Sequence, residues 1–217
     1  MKPRAKQNPK PARRGGAPAS RGSRHRRADA VFDAAARVFA ERGYFGASTQ
    51  DIADVLNIKQ ASLYYYFPSK EVALEEVCTR AVGNFIEAAQ AIADSEISAV
   101  EKIDQLVHSH LRPLKTRADY AQVLLKERRY LPAKTRRHIG ILTRRLEGIF
   151  EAVVKDGVRT GEFRSDLDPR LTTLALLGML NAVASWYRVG VDPDVEVISD
   201  AFSRVALGGV VANSNEQ

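Results

Sequence analysis

Thr49, Gln50, Lys59, Gln60, Ser62, Tyr64, Tyr65 and Lys70 bring amide, hydroxyl and ammonium groups into one short stretch that opens STQDIADVLNIKQASLYYY at Ser48, with small Ala61 among them. Groups of this kind hydrogen-bond to bases and phosphates rather than break bonds. The apolar residues between them say what must hold them. Ile52, Ala53 and Leu56 recur at i, i+1 and i+4, and Leu63, Tyr66 and Phe67 at i, i+3 and i+4, each at the helical period. Two short helices over a tight turn follow from that spacing, a helix-turn-helix that docks into DNA. Asn57 lies at the joint, where a helix ends in a residue of positive φ and Asn tolerates that conformation. Ile58 is expected to plug the corner, and Ala53 to let the two backbones approach.

A second cluster runs from Lys126 to Arg145, KERRYLPAKTRRHIGILTRR, where eight Lys or Arg face the single acid Glu127, a local excess of +7. Such a run is most simply a solvated helix face. The functional alternative is an anion site. In it Arg128, Arg129, Arg136, Arg137, Arg144 and Arg145 hold the phosphates of a ligand such as an acyl coenzyme A, beside an apolar slot of Ile139, Leu142, Leu146 and Phe150.

Other chemistries lack their residues. One cysteine, Cys78, leaves no disulfide and no Cys cluster for zinc, and His25, His108, His110 and His138 do not share a helix face, so no metal and no cofactor is expected. There is no nucleophile elbow, no H-E-x-x-H and no phosphate-cradling glycine loop, and Asp192, Asp194 and Glu196 suit a helix start. An all-α enzyme and a nonspecific architectural DNA coat are the competing classes.

The elements that position these groups are legible in the charge and the periodicity. Net charge is +7, yet residues 1–27 hold ten Lys or Arg and no acid, which leaves 23 of the 33 basic residues against 26 acidic ones in the body. A tail of +10 rich in Pro and Gly cannot bury enough apolar surface to order itself, so residues 1–24 are expected to form a disordered basic arm that lies along DNA. Phe32, Ala35, Ala36 and Phe39 mark a first helix from Arg26 to Arg42, stopped by Gly43, with Tyr44 and Phe45 closing the domain core. Ser48 and Asp51 form a capping box for the second helix, and Pro68-Ser69 ends the reading helix and caps a long fourth one from Lys70 to Asp94.

Beyond residue 95 all periodic segments are helical: 98–114, 119–130, 132–160, 169–189 and 193–211. The fold class is therefore all-α, an N-terminal three-helix DNA-binding domain over 25–84 followed by an antiparallel helical bundle over 85–217. The uncharged segment LTTLALLGMLNAVASWY from Leu171 is short for a membrane span and carries Asn181 and other polar residues, so it reads as a fully buried bundle helix. With Ala206, Gly208 and Gly209 of the last helix it is expected to form a dimer interface. No export signal precedes the body, and a cytoplasmic, nucleoid-associated protein is expected.

Phe39, Gly43 and Tyr44, the run Ser48 to Ala53, the run Leu63 to Phe67 and the run Pro68 to Glu71 together resemble the TetR family of bacterial transcription regulators, most strongly over residues 26–75. The resemblance implies a homodimer that binds a double-stranded DNA operator as a repressor and leaves it on binding a small-molecule effector in the C-terminal domain. Residue by residue it implies Thr49 on a phosphate, Gln50 and Gln60 at base edges, and Tyr64 and Lys70 on the backbone, with Lys59, Ser62 and Tyr65 as further contacts. Glutamine donates and accepts together, which suits adenine N6 and N7. The segment Leu177 to Arg188, with Trp186, is similar to the helix of relatives that respond to acyl thioesters, so Trp186 joins Leu142, Arg144, Arg145, Leu146 and Phe150 as the expected ligand site. Where the family has Gly and then Ser before the reading helix, Asn57 and Lys59 stand, and loss of the Ser cap weakens that helix start by about 1 kcal/mol.

Overall fold

In the computed structural model the described residues are 21–212, and they are helical almost throughout. Helix α1 (Arg21–Gly46) is followed by α2 (Thr49–Val55), a 3₁₀ segment (Gln60–Tyr65), α3 (Lys70–Ala93), α4 (Ala99–Leu111), α5 (Leu114–Lys126), a short 3₁₀ turn (Arg128–Tyr130), α6 (Ala133–Thr160), α7 (Pro169–Trp186) and α8 (Val195–Val210). The only strand-type pairing among the described residues is an isolated bridge between Phe163 and Val211. The basic arm expected over residues 1–24 lies outside the described residues, except that α1 already begins at Arg21, five residues ahead of the Arg26 expected from periodicity.

Local sequence explains the helix ends. Ser48 and Asp51 make both arms of the capping box, the Ser48 N–H donating to Asp51 Oδ2 at 2.8 Å and the Asp51 N–H to Ser48 Oγ at 3.2 Å. At the other end of α2, Asn57 takes φ 53. The Ile58 N–H then reaches back to the Ala53 carbonyl at 3.0 Å and the Asn57 N–H to Asp54 at 3.1 Å, the paired bonds of a Schellman ending. Ile58 does not plug the corner: it is 37% exposed, because the turn carries it past the buried side of Ile52, Ala53 and Leu63.

The reading helix differs from expectation. Its six residues are 3₁₀ rather than α, and Lys59 in the cap position makes no side-chain bond to the helix start. A lysine cannot accept the orphan N–H groups that a Ser oxygen takes, and Pro68 limits how far the segment can extend.

Helix α3 runs without interruption through the expected boundary at residue 84 and packs against α1, α4, α5 and α6, so both units share one rod. α5 begins at Leu114 rather than Asp119, with a break at Arg117 (φ −139, ψ 36), and Pro113 starts it instead of ending α4. Phe45 does not close the core. It is 76% exposed, whereas Tyr44 is buried.

Helix α7 packs on α6 and α8 on α4. α7 is buried on one side only, through Thr173, Leu176, Leu177, Leu180, Val183 and Ala184. Its other face is open at Leu171, Leu174 and Trp186, as α8 is at Val197 and Val205, which is 65% exposed. The expectation of a fully buried helix therefore fails within one chain. Among the described residues no helix is long and apolar enough to cross a membrane.

Candidate functional site

The polar groups of the helix-turn-helix are tied to one another. Gln60 Nε2 donates to Thr49 Oγ1 at 2.6 Å, so the residue expected at a base edge holds the hydroxyl expected at a phosphate. The second amide hydrogen and Oε1 of Gln60 stay available, as does the Thr49 hydroxyl hydrogen. Gln50 Nε2 donates to Asp54 Oδ1 at 2.6 Å along α2. Lys59, Ala61, Ser62, Tyr64 and Tyr65 are exposed on the same short segment, and the Tyr65 ring meets Tyr66 edge-on at 5.3 Å.

Lys70 is turned inward. Its ammonium donates to the carbonyls of Tyr44 (2.7 Å) and Ala47 (2.8 Å) and lies 4.4 Å from the centre of the Tyr44 ring. It thereby fixes the connection that delivers the start of α2, with one of three ammonium hydrogens left over. Tyr44 completes this joint from its other end. Its hydroxyl donates to Glu71 Oε1 at 2.7 Å. Burial and that bond push the Tyr44 phenol up to about 12, and the Tyr44 hydroxyl in turn holds the Glu71 carboxyl below its ordinary value.

The same joint is gripped from the C-terminal domain, which sequence reasoning missed. Glu127 Oε2 accepts the Tyr44 main-chain N–H at 2.8 Å, across a separation of 83 residues. Its carboxylate lies beneath Gly43, whose φ of 68 presents that N–H. Tyr130 stacks on Tyr44 at 5.9 Å and meets Phe45 edge-on at 4.7 Å, which is the role Phe45 has in place of core packing. Nearer the α5 start, Tyr120 donates to Asp33 of α1 at 2.8 Å. The sequence signal was present: Glu127 is the lone acid in the basic run.

Between α3, α4, α5, α6 and α7 lies a cavity of about 250 Å³. Its walls are apolar (Val82, Phe85, Leu111, Leu124, Leu146, Leu177), and Arg128 and Leu125 stand at its exposed rim. Among the polar side chains of its lining, His110 and Asn181 face each other, with His110 Nε2 3.1 Å from Asn181 Oδ1. The imidazole stacks on Phe85 at 4.7 Å and meets Phe150 edge-on at 6.2 Å. Burial pushes its pKa down to about 4, so it is a neutral ring. Glu147, also in the wall, pairs with Arg170 at 2.8 Å.

Of the six residues expected to bind ligand, only Leu146 lines this cavity, with Phe150 against a small adjoining void. Leu142 and Arg145 line a shallow groove between α3 and α6, while Arg144 and Trp186 are exposed and line neither. The helical period explains the difference. The cavity takes Thr143, Leu146 and Glu147 of α6, at i, i+3 and i+4, and Arg144 and Arg145 fall on the turned-away sides. Arg128, from the same basic run, is the one cation that lines it among the described residues.

Comparison with known proteins agrees with this two-part layout. Residues 31–77 match the bacterial regulatory proteins of the tetR family, and residues 96–210 match the tetracyclin repressor-like C-terminal domain. The chain is 26% identical over 186 residues to the HTH-type transcriptional repressor KstR2 of Rhodococcus jostii (strain RHA1), covering 85% of this chain and 91% of that protein. It is 25% identical over 181 residues to the fatty acid metabolism regulator protein of Bacillus subtilis (strain 168), covering 83% and 93%. The fold is shared with the crystal structure of AibR in complex with isovaleryl coenzyme A and operator DNA, at a TM-score of 0.74 and 23% identity over 82% of this chain and 97% of that one. With its helix-turn-helix and its helical C-terminal domain both matched, the chain belongs to the TetR family of bacterial transcription regulators.

Proposed function

We propose that this regulator is a homodimeric repressor that leaves its operator when an acyl coenzyme A occupies the cavity between α3 and α7. Gln50 and Gln60 face base edges, Thr49 and Tyr64 hold phosphates, and Lys59, Ser62 and Tyr65 supply further contacts beside the small Ala61. Lys70 acts mainly by holding the Tyr44 and Ala47 carbonyls, so that the start of α2 arrives at the phosphate in register. The open apolar faces of α7 and α8 pair with a second copy, which sets two reading heads about one DNA turn, roughly 34 to 36 Å, apart.

The observation that carries this reading is the adjacency of Arg128 and Glu127. Arg128 lines the cavity, and the residue before it binds the main chain of the reading head. A ligand that draws on Arg128 therefore displaces the turn Arg128–Tyr130 and with it the seat of Tyr44 and Phe45. The cavity, at about 250 Å³, lies below the roughly 300 to 1,000 Å³ usual for drug-sized sites, so it takes an acyl group but not a whole coenzyme. The anionic part then remains outside, at Arg128. The names of two relatives, a fatty acid metabolism regulator and a protein crystallised with isovaleryl coenzyme A, support the ligand class.

Selection of bound fragments from random DNA, repeated with acyl coenzyme A thioesters of graded chain length, tests both halves together. The expected result is an inverted repeat enriched without ligand and lost with thioesters of one length range. Enrichment unaffected by any thioester refutes the ligand class and leaves the DNA reading intact.

A further inference from the structure

His110 and Asn181 bridge the cavity between α4 and α7, and their hydrogen bond fixes what each can offer a ligand. An amide oxygen only accepts, so the proton lies on His110 Nε2, which donates to Asn181 Oδ1 at 3.1 Å. His110 Nδ1 is then a bare acceptor. The Asn181 amide nitrogen keeps its two hydrogens and makes no side-chain hydrogen bond to the protein among the described residues, so a donor without a partner faces the cavity. Of the other polar groups of the wall, Thr143 donates its hydroxyl to the Ile139 carbonyl at 3.0 Å, and Glu147 is ion-paired with Arg170 at 2.8 Å, although its buried Oε2 accepts no hydrogen bond. Arg128 lines the cavity from its exposed rim.

We propose that Asn181, oriented by His110, is the specificity anchor of the cavity: it donates to the carbonyl oxygen of an acyl thioester and thereby selects the thioester over both an alkyl chain and a free carboxylate. This rests on the cavity being the effector site. A carbonyl satisfies the free amide N–H and asks nothing else of the wall. An alkyl group that closes off the half-buried amide from water leaves its donor unpaired on binding, the circumstance in which one missing hydrogen bond discriminates strongly. A carboxylate meets the Nδ1 lone pair of a ring that burial keeps neutral, and finds no buried cation to balance its charge. His110 positions the amide without being required to touch the ligand.

The probes are octanoyl coenzyme A, its thioether counterpart S-octyl coenzyme A, which keeps the coenzyme and the chain but lacks the carbonyl oxygen, and octanoate. Calorimetric titration of the wild-type dimer is expected to give octanoyl coenzyme A an affinity about tenfold or more above S-octyl coenzyme A, with octanoate weakest. In Asn181→Leu, which keeps the branched shape, though bulkier, and lacks the donor, the ratio of the two coenzyme ligands falls toward one while S-octyl coenzyme A still binds, which also certifies that the variant is folded. Equal affinities of the two in the wild type overturn the anchor alone, and so does an undiminished ratio in Asn181→Leu. Failure of the wild type to bind either coenzyme ligand overturns the effector site itself and the anchor with it. Should Asn181→Leu not fold, the wild-type ratio decides.

Discussion

Lowering the pH should loosen this protein through one residue, and the size of the effect follows from where that residue lies. His110 titrates at 6.5 in an ordinary setting, and burial between Phe85, Phe150 and the cavity wall pushes it down to about 4, with the Asn181 bond opposing only in part. The unfolded chain takes up this proton first as pH falls. The contribution of His110 is thus whole above pH 6.5 and is lost progressively as the pH falls toward 4. Between about pH 7.5 and about pH 5 linkage gives a loss of roughly 2 kcal/mol, rising to roughly 3 kcal/mol over the whole window. The charged groups nearest the ring do not alter the sign: Glu147 is neutralised by Arg170, and Arg128 is at the rim.

The assay is urea unfolding at constant ionic strength and protein concentration, comparing the wild type with His110→Gln. Glutamine retains an amide N–H for Asn181 but does not titrate, so its cost is the same at every pH. Carboxylates also lose stability in acid where partners hold them below their usual values: Asp29 by its bond from Arg80, Asp51 by Ser48, Glu71 by Tyr44 and Glu101 by Ser98. Their losses come as pH falls through the carboxylate range, below the His110 window, and they are common to both proteins. The stability curves should therefore diverge by about 2 kcal/mol by about pH 5. Parallel curves would mean that His110 is protonated in the fold as readily as out of it, and that the cavity is wet and polar rather than dry.

Four further outcomes are expected. Gln60→Ala should relax sequence preference at one or two base pairs, by about 1 to 3 kcal/mol of discrimination, while Tyr64→Ala weakens all sites alike, as read by binding to a panel of operator variants. Glu127→Leu, which removes the acceptor, should leave ligand affinity and operator affinity each near wild type but reduce the ligand-induced loss of operator binding several-fold, because the bond to Tyr44 is where the two are linked. Gly157→Ala should cost at least about 1 to 3 kcal/mol in thermal or urea unfolding, since a Cβ there would lie 2.2 Å from Phe163, whose ring is fully buried and cannot retreat. Leu171→Glu with Val205→Glu should convert the dimer to monomer in light scattering and abolish tight operator binding, without unfolding the chain.

What could be read in the sequence was what local chemistry decides. Ser48 with Asp51, Asn57 and Gly43 each dictate a backbone state within a few residues, and the capping box and the positive φ values are where those residue types put them. The helical period likewise found the buried face of α1 in Phe32, Ala35, Ala36 and Phe39. What could not be read was which of several exposed faces the fold would cover. Arg144 and Arg128 have the same chemistry in the same basic run, yet the turn after α5, packed against α3, brings Arg128 to the cavity, while Arg144 falls on the turned-away side of α6. His110 and Asn181 meet across 71 residues, a pairing no spacing rule contains. Asn181 had a trace, as a lone amide in an almost wholly apolar helix, and a polar group placed so needs a partner or a ligand.

The reading segment shows how a local departure changes the functional assignment as well as the structure. Residue roles carried over from an α-helical relative put Gln60 and Tyr64 on one face, four residues apart. In a 3₁₀ helix the turn closes at three residues, so Ala61 aligns with Tyr64 and Ser62 with Tyr65, and Gln60 swings toward α2. That is where its amide meets Thr49, at 2.6 Å. Six residues at about 2.0 Å each also span roughly 12 Å, against about 9 Å for an α-helix. Lys59 fails to cap the start of the segment, and Pro68 closes its end. Restoring the cap with Lys59→Ser should tighten the segment toward α geometry, move Gln60 off Thr49, and shift base preference at the position Gln60 reads. If the selected operator of that variant is unchanged, the 3₁₀ geometry has no part in recognition.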